Sequence, residues 1–142
     1  MSKEKLGAGD YPLAERRPEL VRGNRGKGLD ELTMEEVLSG AVGMEDLRIT
    51  PDALLQQAEI ARDVNRATLA GNFERASEMA LLPQDLVMEI YELLRPGRAR
   101  DKAALDAAAA RLRDEFGAGR LAQFVEEAAH VYERRGLFAF RF

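Results

Sequence analysis

His130 is the only histidine in the 142 residues, and Glu127 and Glu126 precede it by three and four positions. On a helix these side chains share a face, and an E-x-x-H is half of a di-iron carboxylate site. The other half needs a second E-x-x-H, which a chain with one histidine does not have. A solvated ion pair or a packed side chain is therefore expected, since helical pairs at this spacing are common and weak. The loop Arg22-Gly23-Asn24-Arg25-Gly26-Lys27-Gly28 is basic and glycine-rich. Such a loop can cradle phosphate through its N–H groups. It lacks P-loop spacing and no strand precedes it, so a flexible, solvated linker is expected. Nucleophilic catalysis needs a Ser, Cys or Lys beside a base. Cysteine is absent, and Ser39 and Ser77 have no base at a suggestive spacing. The carboxylates alternate with Lys and Arg as on solvated helix faces. The residue types thus point away from independent catalysis, and no catalytic, cofactor-binding or metal-binding residue is assigned.

Composition narrows the partners. A net charge of -4 and a pI of about 5.2 argue against a nucleic-acid backbone, which calls for a basic face. No apolar run approaches the roughly 20 residues of a membrane span, and MSKEKLGAGD lacks the apolar core of a signal peptide. Zero cysteine rules out a disulfide framework and is compatible with a reducing cytoplasm, where the chain is expected to work. Hydrophobic residues at 46%, rich in Ala and Leu, together with 32% charged residues of both signs, describe a folded, helix-favouring domain.

The elements that would position these residues are helices, and the fold class is all-α, a domain of about five to six helices. Residues 1–32 read as an extended N-terminal arm. Its apolar side chains (Leu6, Tyr11, Leu13, Leu20, Val21, Leu29) are too few to repay an ordering cost of about 1–2 kcal/mol per residue. The arm is expected to be loose or held by another surface, around Tyr11 to Val21. Residues 33–136 form the helical domain. Thr33, with Glu36 three residues on, starts a short helix, and Gly40 and Gly43 punctuate its end. A second short turn, Met44 to Leu47, leads to Ile49. Thr50 and Pro51 are a helix start for a long element running towards Leu82, as one helix or two joined end to end, with Gly71 a bend. Leu54, Ala58, Ala61, Leu69, Phe73 and Ala76 mark one apolar stripe, and Ala53, Ile60, Val64 and Ala67 a second, so burial on two sides is expected. Pro83 opens the next helix and Arg95-Pro96-Gly97 stops it. An Ala-rich helix from Arg100 to Phe116 and a last one from Leu121 to Arg135, stopped by Gly136, complete the pattern. Residues 137–142 are a tail whose alternating Phe side chains suit either strand addition to a partner or local packing.

Blocks spread along the chain resemble one family. They are Asp10-Tyr11-Pro12-Leu13-Ala14, Glu36-Val37-Leu38-Ser39-Gly40, Arg48-Ile49-Thr50-Pro51, Gln57-Ala58 with Ile60-Ala61, and Asn72-Phe73-Glu74-Arg75-Ala76. Glu89-Ile90-Tyr91, Leu94-Arg95-Pro96 and Phe124-Val125 with Glu127-Ala128-Ala129 continue the set, in order, from Asp10 to Arg135. Together they resemble the small (gamma) subunit of coenzyme-B12-dependent diol and glycerol dehydratases.

The resemblance implies a dimer of αβγ heterotrimers in which adenosylcobalamin binds between the large (alpha) and medium (beta) subunits and not to this chain. It implies a substrate held in the large subunit's TIM barrel. There, cobalt–carbon homolysis gives a radical that converts a 1,2-diol or glycerol to an aldehyde and water. The small subunit supplies no known catalytic residue and is needed for the assembled enzyme. Docking is expected through Tyr11, Pro12, Leu13, Arg48, Ile49, Asn72, Phe73 and Arg75, since Tyr and Arg are favoured interface anchors. Phe73 serves core packing as readily, and Arg75 an ion pair with Glu74 or Glu78. Members packaged in bacterial microcompartments often carry a longer N-terminal extension, whereas nine residues precede Asp10 here. The Phe-rich tail also departs from the polar, basic tails usual in the family. The alternative is a stand-alone helical adaptor.

Overall fold

Local hydrogen bonds shape the start of the chain, which the computed structural model describes over residues 4–138. The Gly7 N–H donates to Asp10 Oδ2 at 2.9 Å and closes a 3-10 turn at Ala8–Asp10. Arg17 donates to Asp10 Oδ1 at 3.0 Å, and the Gly7 N–H and this guanidinium hold the Asp10 carboxyl below its ordinary range. Between them lies the short helix α1 (Leu13–Arg16). Leu6 and Leu13 point inward, and the basic glycine loop follows.

That loop is not a free linker. Gly23 N–H donates to Lys27 O at 2.9 Å, Arg22 and Gly28 form an isolated bridge, and Arg25 reaches across to Asp46. Asp46 is buried, accepts from Arg25 Nε at 2.8 Å and takes the Gly43 N–H at 2.9 Å. A second Arg25 nitrogen bonds the Ala41 carbonyl at 2.8 Å. One guanidinium thus ties the loop to the segment holding α2 (Met34–Ser39) and α3 (Met44–Leu47). Thr33 caps α2 through the Glu36 N–H, and Gly40 closes it at φ 83°.

Thr50 accepts from the Ala53 N–H and starts α4 (Pro51–Asp63). Here the structure corrects the expected long element. The chain turns back at Val64-Asn65-Arg66, with Asn65 left-handed at φ 61°, and α5 (Ala67–Met79) packs along α4. Asn tolerates that conformation better than most residues, so a three-residue turn forms without Gly or Pro. Gly71 sits inside α5, and the break falls at Asn65 instead. Ala58, Ala61 and Ala70 are buried between the two helices, where small side chains let the backbones approach. Arg62 Nε donates to Glu74 at 3.2 Å and clasps the pair.

The other side of α4 also packs, as the two stripes predict, but its cover is the arm. Ile60 is buried with Leu6 and Leu13, and Leu20 and Val21 lie against them. Leu6 N–H donates to Glu59 at 3.1 Å, and Ala8 N–H to Asp63 at 2.8 Å. The surface expected to hold the arm is therefore this chain's own α4. Hydrogen bonds to charged acceptors add to the few apolar contacts.

Two compact units result, Met1–Ala80 and Leu81–Phe142. In the second, Pro83 precedes α6 (Gln84–Leu94), Asp101 caps α7 (Lys102–Phe116) through the Ala104 N–H, and Gly117 and Gly136, both left-handed, end α7 and α8 (Gly119–Arg135). Leu105, Leu112 and Val125 are its most deeply buried large side chains, with Ala109, Ala122 and Ala129 between α7 and α8. Tyr132 donates to the Leu94 carbonyl and meets the Phe138 ring edge-on at 6.0 Å. The strand-addition reading of the tail falls mostly on residues 139–142, outside the described residues. Among the described residues there are helices and no named strand, so the class is all-α.

The glycine loop, strapped to α3 by Arg25 and Asp46, can be tested at both ends. A Cβ at Gly23 would stand 2.7 Å from the Asp46 carbonyl oxygen, a backbone atom that cannot swing aside. Gly23→Ala should cost the first unit about 1–3 kcal/mol in urea denaturation, whereas Gly9→Ala, facing open space, should stay within about 0.5 kcal/mol of the parent. Equal losses would refute the close-approach account. The Arg25 hydrogen bond and the Gly43 N–H lower Asp46 from 3.8 to about 2. A carboxyl lowered on folding stabilises the fold above its unfolded value and loses that contribution as pH falls through its folded value. Thermal midpoints should thus fall between about pH 4 and pH 2, and Asp46→Asn should be less stable at neutral pH with a shallower acid limb.

Candidate docking interface

The tight Asn65 turn fixes the site's geometry. Arg66 N–H donates to Ala61 O at 2.8 Å, which brings the start of α5 beside the end of α4. Tyr11, at the end of the Ala8–Asp10 turn, stands over the same place. The three elements enclose an open apolar cleft of about 350 Å³, lined by Tyr11, Ile60, Val64, Arg66, Leu69 and Phe73 among others. Two expected docking residues, Tyr11 and Phe73, thus meet in one cleft although 62 positions separate them. Tyr11 is 58% exposed, and Phe73 is half-buried with one side in the hairpin core. Pro12 is exposed beside Tyr11.

Leu13 is the correction in this set. It is buried with Leu6 and Ile60, so it presents nothing to a partner and instead anchors the loop that carries Tyr11. Asn72 is exposed, lines a second, more open depression at the start of α5, and accepts from Arg75. Arg75 is half-buried and spends that donor inside its own helix. Arg48 and Ile49 lie elsewhere, along a groove of about 310 Å³ with Val21, Leu29, Leu32 and Leu47. Ile49 is 60% exposed, and Arg48 pairs with Glu45 at 2.8 Å.

Sequence reasoning passed over the face of α2. Met34 and Leu38, one turn apart, are 72% and 80% exposed, and α2 buries none of its residues. Met44 and Leu47 on α3 are exposed as well. The signal was present as an apolar i,i+4 pair on a capped helix, but nothing in it distinguished a core face from an outward one.

The constellations with chemical potential are spent. His130 is exposed on α8. Glu126 is held by Arg113 at 2.6 and 3.1 Å, which lowers its carboxyl from the ordinary value, and Glu127 accepts from Gln123 at 3.2 Å. Arg22 and Arg25 of the glycine loop bond carbonyls and Asp46. Among the described residues no group of His, Cys, Asp and Glu is placed to hold a metal ion, and no buried side-chain nitrogen or oxygen lacks a hydrogen-bond partner. What the geometry offers is apolar surface on rigid elements.

Comparisons with known proteins bear on what would cover it. The dehydratase small subunit family matches residues 6–139. The propanediol dehydratase small subunit of Citrobacter freundii is 48% identical over 126 residues, which is 89% of this chain and 73% of that protein. That of Salmonella typhimurium is also 48% identical over 126 residues, 89% of this chain and 72% of its own length.

Proposed function

This chain belongs to the dehydratase small-subunit family, and from that premise we propose that it docks onto the larger subunits of a propanediol or glycerol dehydratase and completes the assembled enzyme without taking part in the chemistry. The two relatives named for propanediol support that substrate over glycerol. The proposed assembly is a dimer of heterotrimers in the cytoplasm, with large and medium subunits holding adenosylcobalamin. The cofactor, when bound there, supplies the radical chemistry that moves a hydroxyl group and releases water. Among the described residues no group of His, Cys, Asp and Glu is placed to hold a metal ion, His130 being exposed by itself on α8, and no step of the reaction is assigned to this chain's residues.

The observation that carries the docking role is the cleft in which Tyr11 stands across from Phe73. An exposed aromatic over a preformed apolar cleft is the kind of anchor that dominates binding energy. Pro12 lies beside Tyr11, Leu13 holds their loop from inside, Asn72 with its partner Arg75 stands at the depression at the start of α5, and Arg48 and Ile49 line the separate groove. No described helix is long and apolar enough to cross a membrane.

Co-expression with the two larger subunits tests the reading. Coenzyme-B12-dependent aldehyde formation should need this chain, and omitting it should remove most activity and most recovered complex. Tyr11→Ala should weaken retention of this chain in the complex by about tenfold or more, leaving its own thermal midpoint nearly unchanged because the side chain is exposed. Equal activity and equal complex yield with and without this chain would defeat the proposal.

A further inference from the structure

The arm and the hairpin hold α4 through two apolar clusters that share no residue. Leu6 and Leu13 bury Ile60 on one side, with Leu20 and Val21 against them. Ala58, Ala61 and Ala70 close the α4–α5 seam on the other. Losing the first cluster therefore leaves the second in place. The arm is also braced from within. One guanidinium, that of Arg17, bonds Glu19 at 2.7 Å, Asp10 at 3.0 Å and Glu4 at 3.4 Å, and the Gly7 N–H donates to Asp10. Across to α4 run the bond from Leu6 N–H to Glu59 and that from Ala8 N–H to Asp63.

At its far end the arm runs into the Arg25–Asp46 strap, which fixes the chain at Gly23 and Lys27. A segment braced within, fixed at one end and attached elsewhere by a small separate cluster is the kind of unit that opens without the rest of its domain. Opening would dismantle the cleft. Ala8 and Tyr11 form its arm side, against Ile60, Val64, Leu69 and Phe73 on the hairpin. Lifting the arm removes that wall and uncovers Ile60.

We propose that residues 4–21 are a clasp that opens and closes on α4 as one unit, and that the cleft beneath Tyr11 exists only while the clasp is shut. The clasp belongs to the free chain, and its use in assembly rests on the docking reading above. A partner seated in the cleft binds the shut form alone, so it draws the arm shut by mass action. Gly7 sets the fit. Its backbone is extended and open to any residue, yet a Cβ there would stand 2.8 Å from Asp63 Oδ2. That oxygen ends a side chain and can swing aside, but it is the acceptor of the Ala8 N–H. A methyl group at Gly7 therefore loosens the arm without touching the α4–α5 seam.

Amide hydrogen exchange of the free full chain, read by NMR, tests the clasp. The N–H groups of Leu6 and Ala8 should exchange through one common opening, about tenfold or more faster than those of Ala61 and Ala70 in the hairpin. Gly7→Ala should speed the first pair about tenfold and leave the second as in the parent, whereas Gly9→Ala, facing open space, should change neither. Glu59→Gln with Asp63→Asn, which trades charged acceptors for neutral ones, should act like Gly7→Ala and decides the matter should that variant fail to fold. Leu6 and Ala8 exchanging in step with the hairpin amides, or all four speeding together in the variants, would overturn the clasp. In the heteromer obtained by co-expression, mass spectrometry should show a peptide over residues 4–10 exchanging about tenfold slower than in the free chain. If the complex forms and that peptide is unchanged, the docking reading stands and its coupling to the clasp falls. If no complex forms, the docking reading falls, and exchange in the free chain still decides whether the arm opens as a unit.

Discussion

Helix α4 is packed on two sides by its own chain, and the first unit depends on that. One side carries Ala58 and Ala61, small enough for α5 to lie close. The other carries Ile60, against which Leu6 and Leu13 settle. Between the two lie Glu59 and Asp63, one turn apart, and both accept backbone N–H groups from the arm. A helix with polar residues between two apolar stripes looks like a helix waiting for two neighbours. Here the neighbours are the N-terminal arm, more than thirty residues earlier in the chain, and α5, which follows directly. The tight turn at Asn65 delivers one and the strapped glycine loop the other. Removing either cover would leave α4 with an apolar stripe in water.

The Arg25–Asp46 pair performs the second service. It converts a glycine-rich loop into a fixed strap, and it does so from a carboxylate that is buried and would be costly there alone. The guanidinium and the Gly43 N–H together satisfy that carboxylate, so its burial is compensated. The pair also commits Arg25, one of the loop's three cations, to an internal carboxylate.

Much of the architecture was readable because caps and stops are local chemistry. Thr33, Thr50, Pro51, Gly40 and Gly136 act within three or four residues of themselves, and each element begins or ends where those types predict. The reversal after Asp63 was not readable, because Asn65 reaches the left-handed region without a glycine to announce it, while Gly71 offered a false signal inside a helix. Which surface holds the arm was not readable for a related reason. A count of apolar side chains omits the carboxylates of α4, which are far away in sequence and supply much of what ties the arm down. Tyr11 and Phe73 could be named from their type and their place in the resemblance, but their meeting across one cleft is a product of the turn. Leu13 shows the converse: adjacency to Tyr11 in sequence implied a shared surface, and helical geometry at α1 turned its side chain inward.

Apolar surface does remain outward, but away from the long helices whose two stripes called for burial. The second stripe of α4 and the α7–α8 seam are consumed internally. What remains outward in the first unit is the Tyr11 cleft and the short α2–α3 segment. These are surfaces on elements already held in place by caps, a strap and a hairpin. A partner that covers them need not refold the chain and forfeits little ordering entropy in binding it, which is the condition under which modest apolar area becomes useful affinity. A subunit whose role is to complete a larger enzyme is well served by such preformed faces.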